Sequence, residues 1–189
     1  MRSFSLLSLL FIFTILSCSN KKEPTRLQQV MALQNMSELA TAEYVVTKII
    51  KANDDNTWYK PGDRKILMTC KASLVAGIDL SKLTEQQIKI NGDQISVTLP
   101  KAHLLYINIK PEDLKTVYQQ VSLFRDQFSS EEKNKLATQA QQQITAAVDS
   151  MGILNSAETN ATIFINNFLQ KLGYKNIQIN FSAHLNSLQ

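Results

Sequence analysis

Cys18 has the sequence surroundings that most clearly indicate chemistry. It ends the segment Ile15-Leu16-Ser17-Cys18, in which a branched apolar residue and a small residue precede the cysteine. The small Ser17 lets a signal peptidase close on the bond before Cys18, and the freed residue takes a diacylglyceryl group on its thiol. The sequence therefore predicts that Cys18 is lipidated and that its acyl chains, of the palmitate kind, tie the protein to a membrane.

The residues before Cys18 have the pattern of an export signal. Arg2 supplies a positive charge, and residues 4–16 form a mostly apolar run. The run fits the roughly 7–15 residues of a signal-peptide core and is shorter than the ~20 residues of a membrane-spanning helix. Residues 1–17 are therefore predicted to be a signal peptide, and residues 18–37 a polar, lipid-anchored tether with a short helix. An ordinary signal peptide cleaved elsewhere, or an uncleaved anchor, remains the alternative.

The other side chains suited to metal or nucleophile chemistry are few and scattered. The two histidines are His103, at the start of a predicted strand, and His184, near the end of the chain. Neither has a neighbour at metal-ligand spacing, so the sequence predicts no metal site and no cofactor. Cys70 lies in an alternating strand pattern, which favours a buried thiol over an exposed nucleophile.

Two aspartates occupy loop positions from which a carboxylate can act as an acid or base. Asp79 follows Gly77, and Asp93 follows the Asn-Gly pair of a predicted hairpin. The structural interpretation is simpler, because Asp79 suits the cap of a turn that Gly77 permits, and Asp93 suits the hairpin loop. The chain has no Gly-x-Ser-x-Gly elbow and no glycine-rich phosphate loop, so the sequence predicts no catalytic residue.

Length and net charge further limit the kinds of protein that this chain can be. Removal of residues 1–17 leaves about 170 residues, which suits one domain with a sizeable core. The formal net charge of +4 is mild. Basic residues cluster between positions 60 and 71 without interleaved aromatic residues. Nucleic-acid binding is therefore not expected.

Five strands are predicted before residue 110. Residues 40–51 are rich in β-branched and aromatic residues, and residues 65–76 alternate until Gly77 ends the pattern. Residues 87–90 and 94–99 flank an Asn-Gly turn and predict a hairpin that ends at Pro100. Residues 103–109 alternate again.

Helical periodicity dominates the second half. Three helices are predicted: one from Pro111 to Phe128, one that begins at the Ser129–Glu132 capping box and ends at Gly152, and one that ends at Gly173. Residues 176–181 alternate and predict a returning strand. We therefore expect an α+β fold over residues 38–181, with a mostly antiparallel sheet of about five to six strands packed by about three C-terminal helices, and a loose tail over residues 182–189.

Three segments together resemble a known family. They are residues 75–83, which contain Gly77 and Asp79, the strand end at residues 97–100, and residues 152–161. In this order they resemble the bacterial family catalogued as domain of unknown function 4230, over about residues 38–181. The resemblance implies a membrane-tethered extracytoplasmic domain and maps the family's shared glycine and aspartate onto Gly77 and Asp79. It implies no activity, substrate or catalytic residue.

The sequence thus favours a lipid-anchored, extracytoplasmic binding or scaffold module of the bacterial cell envelope. Its predicted partners are the membrane, through the lipid, and an envelope protein. Two other classes stay open: a carrier of a small apolar ligand held between sheet and helices, and an envelope hydrolase with an unrecognised site. The oligomeric state and the choice of membrane are not predicted.

Overall fold

The computed structural model describes residues 24–55 and 58–182, so Cys18, the predicted signal peptide and His184 lie outside the described residues. The helices of this part are α1 (Arg26–Met31), α2 (Ser130–Ala147) and α3 (Ile153–Lys171). The strands are β1 (Glu38–Asp54), β2 (Arg64–Asp79), β3 (Ile88–Asn91), β4 (Gln94–Leu99), β5 (His103–Asn108), β6 (Leu114–Val121) and β7 (Asn176–Phe181). The predicted α+β class is confirmed.

The long strand β2 is the centre of the larger sheet. It pairs antiparallel with β1 along its whole length, with one irregularity in register between Ala40 and Ala42. On its other side β5 pairs with the second half of β2 and β6 with the first half. The sheet is therefore three strands wide, and β1 forms one of its edges.

A smaller sheet joins distant parts of the chain. The predicted hairpin of β3 and β4 is present, with Ile90 opposite Ile95. The returning strand β7 pairs with β4 in parallel, with Ile95 beside Ile177. The strands are thus divided between two sheets rather than collected in one, because β7 adds to the hairpin and not to β2.

The core lies between the sheets and the helices. Alternate residues of β2 point inward and are buried, as the period of two requires. Helix α3 presents a buried stripe at helical spacing (Ala157, Ala161, Ile165, Leu169). The two alanines of this stripe let the helix approach β1 closely, and the Thr41 hydroxyl donates to the Ala157 carbonyl at 2.9 Å. A second cluster, around Met68 and Cys70, is covered by α2 and Phe128.

Helix α1 begins inside the segment predicted as a tether. Thr25 and Gln28 form a capping box at its start, and Val30 and Leu33 are completely buried in the core. Not all the helices are therefore C-terminal, and α1 ties the beginning of the described chain to the core. Neither α2 nor α3, the long helices of the described part, has the apolar character that a membrane crossing needs.

The helix predicted from Pro111 is wrong. Residues Pro111–Asp113 form a single 3₁₀ turn, and residues 114–121 are strand β6. The apolar spacing of Leu114, Val117, Tyr118 and Val121 fits a helix. However, the free edge of β2 offers a full hydrogen-bonding ladder, which a solitary helix over the same residues does not. Val117 falls at a bulge in that ladder, and the extra residue disguises the strand period.

The second and third predicted helices are confirmed with small shifts. Ser129 and Glu132 form the expected capping box of α2. Gly152, at φ +75°, separates α2 and its final 3₁₀ turn from α3. Helix α3 begins at Ile153, two to three residues before Asn155 or Ser156, at which the sequence predicts its cap, because the left-handed Gly152 itself separates the two helices.

Candidate interaction site

The segment around Gly77 and Asp79 makes contacts that stabilise the fold. β2 does not end at Gly77, as the sequence pattern suggested, but runs on to Asp79. A Cβ on Gly77 would lie 2.1 Å from the Leu39 carbonyl oxygen, so glycine is needed here for the close approach of β1. The Asp79 carboxylate accepts a hydrogen bond from the Ser81 N–H at 3.1 Å and caps the 3₁₀ turn Leu80–Lys82. Hydrogen bonding from the Ser81 hydroxyl, with Lys82 beside it, lowers the pKa of Asp79.

The remaining candidates that the structure describes, Cys70, Asp93 and His103, do not form a common site. Cys70 is buried beneath α2, and burial raises the pKa of its thiol. His103 is exposed at the start of β5. Asp93 makes ion pairs with Arg26 at 3.5 Å and with Lys175 at 3.6 Å, which link the hairpin loop to α1 and to the residue before β7. Within residues 24–55 and 58–182, no three His, Cys, Asp or Glu side chains converge in a way that suits a metal ion.

The structure places an exposed apolar group at the far end of the larger sheet. The loop between β1 and β2 carries Trp58 and Tyr59, and the loop between β6 and α2 carries Leu123 and Phe124. Leu123 is 97% exposed, Trp58 95% and Phe124 81%. We call this group of four residues the apolar tip. Large apolar side chains grouped with so much exposure typically mark an interaction site.

Hydrogen bonds hold the two loops of the apolar tip against each other. The Ser122 N–H donates to the Asp63 carbonyl at 3.1 Å, and the Asp63 N–H donates to the Ser122 hydroxyl at 3.2 Å. The Arg125 guanidinium donates to the Gly62 carbonyl at 2.7 Å. The turn that follows β6 is therefore fixed to the turn that precedes β2.

A cluster of ion pairs forms the base of the tip. The Asp54 carboxylate accepts from Arg64 Nε at 2.9 Å and also from Arg125. Arg64 in turn donates to both carboxylate oxygens of Glu132, one of them at 3.2 Å, and its guanidinium lies 4.4 Å from the ring centre of Phe128. We call Asp54, Arg64, Arg125 and Glu132 the charged base.

Burial and bidentate geometry make the charged base rigid. The Arg64 side chain is only 13% exposed and that of Arg125 only 7%. Hydrogen bonding from Arg64, helped by the nearby charge of Arg125, lowers the pKa of Asp54, and the bond from Arg64 likewise lowers that of Glu132. Fork-shaped guanidinium contacts of this kind fix geometry as well as charge. The tip is thus carried on an ordered support.

The tip itself offers contact chemistry rather than catalysis. The rings of Trp58 and Tyr59 meet edge to face at 5.7 Å between centres, and Lys60 Nζ lies 5.9 Å from the Tyr59 ring centre. A shallow groove of about 250 Å³ runs beside them between Lys60 and Phe124. Aromatic and aliphatic side chains beside a cation, on a fixed support, suit non-covalent docking of a partner.

Sequence reasoning missed this site for two reasons. The helix predicted over residues 111–128 included Phe124 on its apolar face, although the structure places this residue in a loop. Trp58 lies in a turn-rich segment near Pro61 and Gly62. The single tryptophan of the chain within such a segment was the signal available, since no core contact is expected of a residue in a surface loop.

Comparison with known proteins identifies one family. The model of the family Protein of unknown function (DUF4230) matches residues 31–179, most of the chain. Searches among curated proteins and among solved structures find no match. The match includes Gly77 and Asp79 and begins within α1. The resemblance inferred from the sequence is confirmed, and the chain belongs to the DUF4230 family.

Proposed function

We propose that this protein is a lipid-anchored binding module of the bacterial cell envelope and that its apolar tip docks an envelope protein. The observation that carries the proposal is the combination of an exposed apolar tip with a rigid charged base. Trp58, Leu123 and Phe124 are exposed to water. Burying a large apolar side chain typically contributes roughly 1.5–3 kcal/mol, and the monomer does not gain this free energy from them. A partner that covers the tip recovers this free energy.

The position of the tip relative to the proposed anchor supports the assignment. Helix α1 leads into the start of β1, whereas the tip follows the end of β1. A strand of 17 residues spans about 50 Å. Fewer than ten residues separate Cys18 from α1 and reach at most about 30 Å when extended. The tip is therefore remote from the lipid of its own chain and is available to a separate partner.

Photo-crosslinking in living cells tests the docking role. A photoreactive amino acid is placed at Phe124 in the full-length, tagged protein, and a matched control carries it at Phe164, an exposed phenylalanine of α3. We expect one reproducible envelope protein to be captured from position 124 and not from position 164. Equal capture from both positions, or capture of lipid alone from position 124, would contradict the proposal.

A pair of double variants separates docking from folding. With the photoreactive amino acid kept at position 124, Trp58→Ser with Leu123→Ser removes half of the tip, and Ile163→Ser with Phe164→Ser removes an exposed apolar pair from α3. Both variants should keep the unfolding midpoint within a few degrees, since neither pair belongs to the core. Only the first should lose the captured protein.

The membrane anchor is tested independently. The wild-type protein should incorporate labelled palmitate, and Cys18→Ala should abolish that incorporation. A wild-type protein that stays in the membrane fraction without label would contradict lipidation and favour an uncleaved apolar anchor.

A further inference from the structure

Strand β1 presents a long edge that the rest of the sheet does not pair. It lies at the outside of the larger sheet and runs for 17 residues. Its start is blocked, because Asn160 of α3 donates to the Thr41 carbonyl at 2.8 Å beside the irregularity in register. In the described part of the chain, no other backbone group of β1 accepts a hydrogen bond from outside the sheet. An unprotected edge of this length pairs readily with another strand.

The outward face of this edge carries a symmetrical set of side chains. From start to end they are Glu43, Val45, Thr47, Ile49 and Lys51, all exposed. Val45 and Ile49 are each 59% exposed. From either end toward Thr47, a charged residue is followed by a β-branched apolar residue and then by the threonine. The charged residues at the two ends have opposite signs.

This order is self-complementary in an antiparallel pair. We propose that β1 pairs with β1 of a second copy around a two-fold axis at Thr47. Glu43 then lies opposite Lys51 of the second copy, and Val45 lies opposite Ile49 of the second copy. Each contact occurs twice, as in any two-fold interface, and cross-strand pairs of these types stabilise sheets.

Other registers do not give this match. Directly opposed residues must share a face of the sheet, so the register changes only in steps that keep outward residues opposite outward residues. The next register in one direction places Val45 opposite Lys51 of the second copy. The next in the other direction places Glu43 opposite Ile49 of the second copy. Only the axis at Thr47 pairs opposite charges and apolar residues together.

The helix side of the edge leaves room for the added strand. A groove of about 470 Å³ lies between residues 41–44 of β1 and residues 155–160 of α3. A second groove, of about 440 Å³, lies between residues 48–51 and the glutamines Gln139 and Gln143 of α2. In the proposed register, residues 43–46 of the second copy lie opposite residues 48–51, beside the second groove. The glutamine amides beside it can donate to and accept from a neighbouring chain.

The pairing extends the role proposed above without depending on it. The two larger sheets become one continuous sheet, with the helices of both copies on the same face. Because the strands are antiparallel, the two apolar tips lie at opposite ends of the dimer. The dimer therefore offers two separate docking sites and can hold two partner molecules at once.

Disulfide trapping in cells tests the axis directly. With Thr47→Cys in the full-length protein, the new cysteine lies opposite the same cysteine of the second copy. Oxidation should therefore give a homodimer that a reductant separates. Asn53→Cys lies on the same face of the same strand. In the proposed dimer, however, the two cysteines at position 53 would be about 40 Å apart, so this variant should stay monomeric. The parent protein controls for Cys18 and the buried Cys70. No dimer from Thr47→Cys, or equal dimer from both variants, would overturn the proposal.

Charge reversal tests the register. In sedimentation of the full-length protein in detergent, Lys51→Glu and Glu43→Lys should each raise the dimer dissociation constant about tenfold, since both copies of the pair become repulsive. The combined variant should restore the constant to within about twofold. Failure of the combined variant to recover would overturn the register, and trapping of a different protein at Thr47 would overturn self-pairing. Neither result bears on the crosslink at Phe124, so the two proposals fail separately.

Discussion

Alanine in place of Gly77 should destabilise the fold strongly although it adds one methyl group. The new Cβ would lie 2.1 Å from the Leu39 carbonyl oxygen and 2.9 Å from Ala40 Cα. Both atoms belong to the backbone of β1 and cannot turn aside as a side chain can. Strands β1 and β2 must therefore separate locally by about 1 Å, at the irregular point of their pairing.

The magnitude follows from two opposing effects. Overpacking against an immovable neighbour costs about 3 kcal/mol. The substitution also reduces the conformational entropy of the unfolded chain, which stabilises the folded state by about 0.7 kcal/mol. The net loss is about 2 kcal/mol, which lowers the unfolding temperature of a chain of this size by about 4–8 °C.

Guanidinium unfolding of the purified protein measures this loss, and Gly92→Ala is the matched control. Gly92 has φ +59° and nothing within 4 Å of an added Cβ, so alanine there meets backbone strain alone, worth about 1 kcal/mol. We expect Gly77→Ala to lose the larger free energy of unfolding. If Gly77→Ala equals the wild type, or loses less than Gly92→Ala, the close approach does not explain the glycine.

Three further predictions concern the charged base, a helix cap and the buried thiol. Because Arg64 lowers the pKa of Asp54 in the folded protein, the ionised carboxylate contributes stability that is present above its ordinary pKa of 3.8 and is lost as the pH falls. Asp54→Asn should therefore be less stable than wild type at pH 7, and in a pH series of thermal melts this difference should shrink as the pH falls below 3.8. Ser129→Ala should cost about 1 kcal/mol in denaturant unfolding, whereas Ser130→Ala, one residue further, should cost little. Cys70 should react with a thiol reagent only as fast as the protein unfolds; rapid labelling of the native protein would refute its burial.

Local patterns in the sequence predicted those elements that local interactions specify. The Asn-Gly hairpin, the Ser129 capping box and the glycine at 152 each act within a few residues, and each appears where it was predicted. The alternation of β2 also predicted its buried face. These features depend on the backbone preferences of single residues, which a sequence displays directly.

The errors arose where distant parts of the chain decide the structure. Residues 114–121 have helical spacing, and only the free edge of β2 makes them a strand. β7 was predicted as a strand, but its parallel partner β4 lies about eighty residues earlier in the chain. Gly77 was taken as a turn because the pattern gives no sign that β1 passes so close. The apolar tip was not predicted for the same reason, because its two loops meet only when β6 pairs with β2.

The charged base explains why the tip can be exposed without becoming disordered. Taking Arg64 and Arg125 out of water carries a desolvation cost that their ion pairs offset only in good geometry, so such clusters add little net stability. Their geometry, however, is strict, because Asp54 must face both guanidinium groups at once. It can do so only when β1 and β2 pair in their observed register and the loop after β6 lies against them. The same four side chains therefore link the end of the long strands to the loop that carries Leu123 and Phe124. A surface that has to meet a partner benefits from such a link, because a loop held in place before binding loses less conformational freedom when it binds.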